Sequence, residues 1–158
     1  MGTDNQNVEY AGFMVRAGAT LIDSALLLLL TVPLLISIYG WDYFDYEKVG
    51  VIAGGGDFLI SWVFPAIATM VFWVTKQATP GKMAFSTRVV DATHGRAPSP
   101  SQFVGRYFAY LLSMLPLGLG FVWAAFDPKK QAWHDKLAGT VVIRSVRRGP
   151  EPVRFHHG

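Results

Sequence analysis

Charged positions along this chain fall in blocks and leave three long apolar runs. Residues 24–41 and 58–75 each hold 18 uncharged residues, and residues 107–126 hold 20. Crossing the hydrocarbon core of a bilayer takes about 20 mostly apolar residues. The first run extends backward through residues 17–22, which predicts a helix over about 17–39. The second has Trp62 and Trp73 near its ends, and indole rings favour the membrane interface. The third is interrupted by Pro116-Leu117-Gly118-Leu119-Gly120. Proline removes a helix hydrogen bond and glycine lowers helix propensity, so a break is expected there. The piece before it, residues 103–115, would be about 20 Å long, too short to span.

The polar stretches carry their own pattern. Thr79-Pro80-Gly81-Lys82 has the chemistry of a type II turn. Residues 85–91 then alternate Phe85, Thr87 and Val89 against Ser86, Arg88 and Val90, which predicts a strand ending before a turn at His94-Gly95. Asp127-Pro128 is expected to start a helix as N-cap and first helical residue, running to about Leu137 with Gly139 as its stop. Residues 140–146 are β-branched and read as a second strand. Gly54-Gly55-Gly56 reads as a flexible turn, and Leu26–Leu30 as lipid-facing or core leucine.

Composition strengthens the membrane reading. The chain has 158 residues and 17.4 kDa, enough for one domain. Hydrophobic residues make up 51%, charged residues 16%, and mean hydropathy is +0.30. That is too little charge to cover a small soluble monomer and too much apolar surface for a disordered chain. With no cysteine, disulfides, thiolate metal sites and cysteine catalysis are excluded. Residues 1–15 carry Asp4 and Glu9 and no Lys or Arg, unlike the basic start of a cleaved signal peptide, so the first helix is expected to stay as an anchor.

The net charge of +3 is unevenly placed. The 40–57 loop sets Lys48 against Asp42, Asp45, Glu47 and Asp57. The 76–105 loop holds Lys76, Lys82, Arg88 and Arg96, and residues 127–158 hold seven Lys and Arg. By the positive-inside rule the acidic loop is outside, and the N-terminus, the second loop and the tail are inside. Three full spans would separate the two basic segments. A broken, re-entrant third segment would keep them together, as would pairing of 85–91 with 140–146. A straight third span with an outside tail is the alternative.

The expected architecture is therefore an all-α membrane protein. It has two transmembrane helices, a third broken or re-entrant membrane segment, a short cytoplasmic β-hairpin-like element and an interfacial helix. That last helix would set Lys129, Lys130 and Lys136 with Trp133 and Leu137 against anionic headgroups of the lipid bilayer. Headgroup attraction also accounts for Arg147-Arg148 without nucleic acid, so no nucleic-acid partner is expected.

Candidate chemistry lies where charge enters apolar helices. Asp23 sits inside the first, with Thr20 and Arg16 on the same face. Arg106, Tyr110 and Ser113 form a matching stripe on the third. Such residues face protein and mark a ligand site or a structural ion pair. A pair of Asp23 with Arg106, or second with Arg16, would offset the insertion cost. His134 and Asp135 are adjacent and point to different faces, so they form no dyad with each other. His94, His134, His156 and His157 supply no metal set, and no cofactor is expected. For want of a phosphate loop, a Gly-x-Ser-x-Gly elbow or a serine near a histidine, an enzyme is not expected.

These words in this order resemble the RDD family of small membrane proteins. Phe13-Met14-Val15-Arg16 through Asp23 is similar to its opening. Thr79-Pro80-Gly81-Lys82-Met83 with Arg88-Val89-Val90-Asp91 and Gly95 is similar to its central loop. Arg106, Leu115-Pro116 and Gln131-Ala132-Trp133-His134-Asp135-Lys136-Leu137-Ala138-Gly139-Thr140 are similar to its closing block. The resemblance implies an RDD-like membrane domain over 10–146; residues 147–158, which carry no family word, are expected to form a basic, flexible tail. The resemblance takes Asp135 as the second aspartate, with Asp127 as the runner-up. It further implies a protein of the bacterial cytoplasmic (inner) membrane, and transport or binding of ions or small ligands as the function; the apolar runs and the charge count make it multi-pass with both termini cytoplasmic. A homo-oligomer or a subunit of a larger membrane complex is the expected assembly, and a non-catalytic accessory subunit the alternative function.

Overall fold

The computed structural model describes residues 8–146; the basic tail expected at 147–158 lies outside them. Among the described residues two helices are long and apolar enough to cross a membrane: α1, Phe13–Tyr39, and α2, Gly55–Lys76. A short helix, α3, follows at Pro80–Ala84, then strand β2 at Thr87–Asp91. The third apolar segment is a bent pair, α4 at Pro100–Met114 and α5 at Leu119–Ala125. Helix α6, Trp133–Ala138, and strand β3, Thr140–Ser145, follow; strand β1 lies before α1 at Val8–Tyr10, and two single-turn helices, Trp41–Phe44 and Tyr46–Val49, lie in the loop after α1.

The break in the third segment falls where proline and glycine were expected to put it. Leu117 and Gly118 take left-handed conformations, with φ of 53° and 79°. The chain bends by 113° between α4 and α5. Ser99 begins α4 with a capping box completed by Gln102, and Pro100 follows in the first turn.

The sheet explains why the bend must return the chain. Its order is β1-β3-β2, with β3 antiparallel to both neighbours. Val89 faces Val142, and Glu9 faces Arg144. One strand precedes α1, one follows α2 and one follows the bent pair, so all three connections end on one face of the molecule. A straight third helix would carry β3 away from β2. The β2–β3 pairing matches the expected hairpin-like element. The three-residue β1 is too short to show periodicity and was not expected.

Three local expectations are corrected. Thr79-Pro80-Gly81-Lys82 is not a type II turn but the N-cap and first turn of α3. Residues 128–132 are not helical: the Asp127 carboxylate accepts from the Lys129 and Gln131 amides, and Lys130 has φ of 51°. That turn postpones the helix to Trp133, although Gly139 does end it in the left-handed conformation. α6 buries His134, Asp135 and Ala138 and leaves Lys136 and Leu137 exposed. Trp73 does not mark an interface. It is buried against Phe103 and Tyr110, with ring centroids 5.8 and 5.7 Å away. Trp73, Phe103, Val89, Val142 and Ala11 form the core that joins sheet to helices.

Candidate functional site

The matching polar stripes do not meet each other; each meets a third element. On α4, Arg106 and Ser113 are fully buried and Tyr110 partly so, all toward α6. There Asp135 receives two guanidinium groups, Arg106 through Nη1 and Arg16 through Nη2. Arg106 and Asp135 have no exposed side-chain surface, whereas Arg16 keeps 12%. Arg106 Nη1 also donates to Thr140 Oγ1 at 2.6 Å. Its Nε and Nη2 have no hydrogen-bond partner among the described residues, and its guanidinium lies 5.4 Å from the Trp73 ring centroid and 5.7 Å from that of Tyr110. Aromatic faces supply part of what absent acceptors would, through cation–π attraction.

Asp135 fits this place because α6 is short and capped by it. Its carboxylate accepts from the Ala132 amide at 2.9 Å, so the side chain is aimed before either arginine arrives. Burial alone would raise its pKa. The Arg106 and Arg16 charges outweigh that and hold the carboxyl well below the usual carboxylate range.

His134, adjacent in sequence, faces elsewhere. Its ring stacks on Tyr110 at 4.0 Å and leans on Phe121 at 5.1 Å. Burial first, and the Arg106 charge second, push its pKa down to about 2, so it is neutral at pH 7. Arg16 Nη2 lies 3.3 Å from Nε2, and a guanidinium can only donate, so Nε2 accepts. The proton then sits on Nδ1 and points to Ser113 Oγ, 3.3 Å away, which itself donates to the Ala109 carbonyl.

Asp23 overturns the pairing expected of it. No arginine reaches it among the described residues. Its carboxylate accepts from Thr79 Oγ1 at 2.5 Å and from the Gly81 amide at 2.7 Å. These groups lie at the start of α3, which packs on α1. Gly81 is required there, since a Cβ would overlap the Ala19 carbonyl and the Asp23 carboxyl carbon. Arg16 and Asp23 share a helix face, but one serves α6 and the other α3. Thr20 Oγ1 donates to the Arg16 carbonyl. Asp127 belongs to neither cluster and pairs with Lys136.

A cavity of about 280 Å³ opens beside this frame. Arg16, Thr20, Lys82, Tyr110 and His134 supply its polar lining, and Phe13, Ala17, Leu21, Phe121 and Ala132 its apolar walls. It reaches Arg16 and not Asp23. Lys82 and His134 are the residues that sequence reasoning missed. Lys82 stood in a word read as a turn, and only the docking of α3 on α1 carries it inside. Among the described residues no group of three His, Asp or Glu side chains converges to hold a metal ion.

The model of the RDD family matches residues 10–139. The uncharacterized protein RP437 of Rickettsia prowazekii (strain Madrid E) is 41% identical over 76 residues, 48% of this chain and 42% of its own. The uncharacterized protein YxaI of Bacillus subtilis (strain 168) is 40% identical over 67 residues, 42% of this chain and 43% of its own. Each match thus spans less than half of the relative's length. No solved structure matches. The chain belongs to the RDD family.

Proposed function

We propose that this RDD-family chain is a multi-pass protein of a bacterial cytoplasmic membrane that holds a small ligand, as a binding or transport module, in the cavity beside Arg16 and Lys82. In this reading α1 and α2 cross the bilayer, the α4–α5 pair enters and returns, and the sheet with both chain ends lies on the cytoplasmic side. The basic 76–105 loop and the basic residues after 127 support that orientation. The single observation that carries the ligand reading is the cavity itself, walled by apolar side chains and lined by Arg16 and Lys82.

The Asp135 frame builds the site and is not the cargo path. Arg106 and Asp135 are sealed from solvent, while Arg16, at the edge, presents its remaining donors to the cavity. Nor does the geometry favour an enzyme. His134 is neutral with Nε2 occupied by Arg16, and the Ser113 hydrogen is committed to the Ala109 carbonyl.

Native mass spectrometry of protein released from host membranes tests the reading. Wild type should retain small-molecule adducts that Ala17→Phe, which places a ring in the cavity, has lost. Bare protein in both would refute it. The sealed Arg106–Asp135 pair favours a second reading, an accessory subunit of a membrane complex, since a dry pair fixes shape without moving ions. Cross-linking in intact membranes that captures a stoichiometric partner, together with bare spectra, would establish that role instead.

A further inference from the structure

The charges around the cavity do not balance. Three cationic side chains, Arg16, Lys82 and Arg106, meet two carboxylates, Asp23 and Asp135. Asp135 is shared by the two arginines. Asp23 is occupied by Thr79 and the Gly81 amide. His134 is neutral. Lys82 is left over. It is only 7% exposed, and no carboxylate lies within 4 Å of it among the described residues. Its Nζ lies 5.8 Å from the Trp73 ring centroid, and the side chain lines the cavity. A buried ammonium without a counter-charge is expensive, and a π face compensates only in part.

Arg16 points the same way. Nη1 donates to the Lys130 carbonyl at 2.7 Å, and Nη2 is taken by Asp135 and His134. Nε and one Nη1 hydrogen have no protein acceptor among the described residues. Opposite these donors the walls are hydrocarbon: Phe13, Ala17 and Leu21 of α1, and Phe121 of α5. Leu21 is also 71% exposed, so the apolar wall continues onto the outer surface of α1. A cation would be repelled here, and a bare inorganic anion would leave the walls unused.

We infer that the cavity takes an anionic amphiphile, whose oxyanion head accepts from Lys82 and Arg16 and whose first methylenes lie along Phe13, Ala17, Leu21 and Phe121. The inference rests on the ligand-site reading above and names the class of ligand. A phosphate or a carboxylate head satisfies the same donors, so a membrane phospholipid and a free fatty acid are two sources of one chemistry.

The test uses the full chain in phosphatidylcholine nanodiscs, titrated separately with phosphatidylglycerol, laurate, dodecanol and inorganic phosphate. Bound adducts are read by native mass spectrometry, and the thermal midpoint is followed in parallel. Phosphatidylglycerol, laurate or both should bind and raise the midpoint, while dodecanol, which has the same chain without the charge, and inorganic phosphate should bind at least about tenfold more weakly. Binding by phosphatidylglycerol alone identifies a bilayer lipid as the occupant, and binding by laurate alone a fatty acid. Lys82→Met should lower anionic binding by about tenfold or more, and Lys76→Met, at the exposed end of α2, should leave it unchanged. If Lys82→Met does not fold, the laurate–dodecanol comparison in wild type still decides. Dodecanol binding as tightly as laurate would overturn the anionic head while leaving a ligand site in place. No binding by any probe, with Ala17→Phe indistinguishable from wild type, would overturn both.

Discussion

Replacing Asp135 by asparagine removes one charge and leaves the shape of the residue intact. In the folded protein it strands Arg106, which has no exposed surface and whose Nε and Nη2 already have no acceptor among the described residues. Its remaining anchors are Thr140 Oγ1 and the faces of Trp73 and Tyr110. Breaking one side of a buried ion pair destabilises by about 3–5 kcal/mol. The lower end applies here. The aromatic faces offset part of the loss, and Arg16, 12% exposed, can turn toward water. A loss near 3 kcal/mol is a large share of the 5–15 kcal/mol that holds a typical domain together. For a chain of this size it corresponds to a midpoint lower by about 6–12 °C.

Thermal loss of helical circular dichroism in lipid nanodiscs measures it. The companion is the double variant Asp135→Asn with Arg106→Met, which removes both charges and keeps an oxygen for the Ala132 amide. It should return most of the lost stability, because a buried pair replaced on both sides is often neutral. If Asp135→Asn melts with wild type, or the double variant melts as low as the single, the charge argument is wrong.

Other outcomes follow from the same geometry. His134 has its pKa depressed in the folded state, so the unfolded chain binds the extra proton first, and stability present above pH 6.5 is lost as pH falls toward 2. About 2 kcal/mol should be gone at pH 5, and His134→Gln should flatten unfolding curves between pH 6.5 and 5. Asp135 is depressed as well, but its share disappears only below the carboxylate range near pH 4, which separates the two. Gly81→Ala pushes a methyl into the Ala19 carbonyl and should lower stability by about 1–3 kcal/mol, read as reduced folded yield on size exclusion. Reporter fusions at Ser99 and Ser145 should report one compartment, and opposite compartments would contradict a returning α4–α5 pair.

What could be read ahead of the structure, and what could not, divides by the range of the interaction. The break at residues 116–120 and the stop at Gly139 are local: proline and glycine act on their own turn. The burial of Arg106 and Ser113 was legible because helix period alone puts them on one face. Asp23 was misread in its partners and in its depth, since it is only partly buried. The insertion argument says that a carboxylate on an apolar helix needs partners, and it does not say that they must be charged. Thr79 and the Gly81 amide, 56 and 58 residues away, satisfy it with neutral donors. Lys82 and His134 were missed for a related reason. A lysine after Pro-Gly and a histidine beside an aspartate carry no period of their own. A signal was present in retrospect, since Gly81 beside Lys82 permits a close approach that draws the lysine inward.

The two aspartates therefore do different work, and Asp23 offers the sharper last prediction. Thr79→Val keeps the shape of the N-cap and removes the hydroxyl that donates to Asp23. The carboxylate retains the Gly81 amide, so one of its two neutral donors is lost, at about 1–3 kcal/mol for a partly buried charged acceptor. The loss should appear as looser docking of α3 on α1, and Lys82 rides on α3. Thr79→Val should therefore weaken ligand retention in the cavity, while Asp135→Asn, acting through Arg106, should lower the midpoint more than it alters retention. Hydrogen exchange at the α3 amides measures the docking directly. Faster exchange confined to residues 81–84 would bear out the division, and unchanged exchange there would show that the Asp23 contacts do not hold α3 in place.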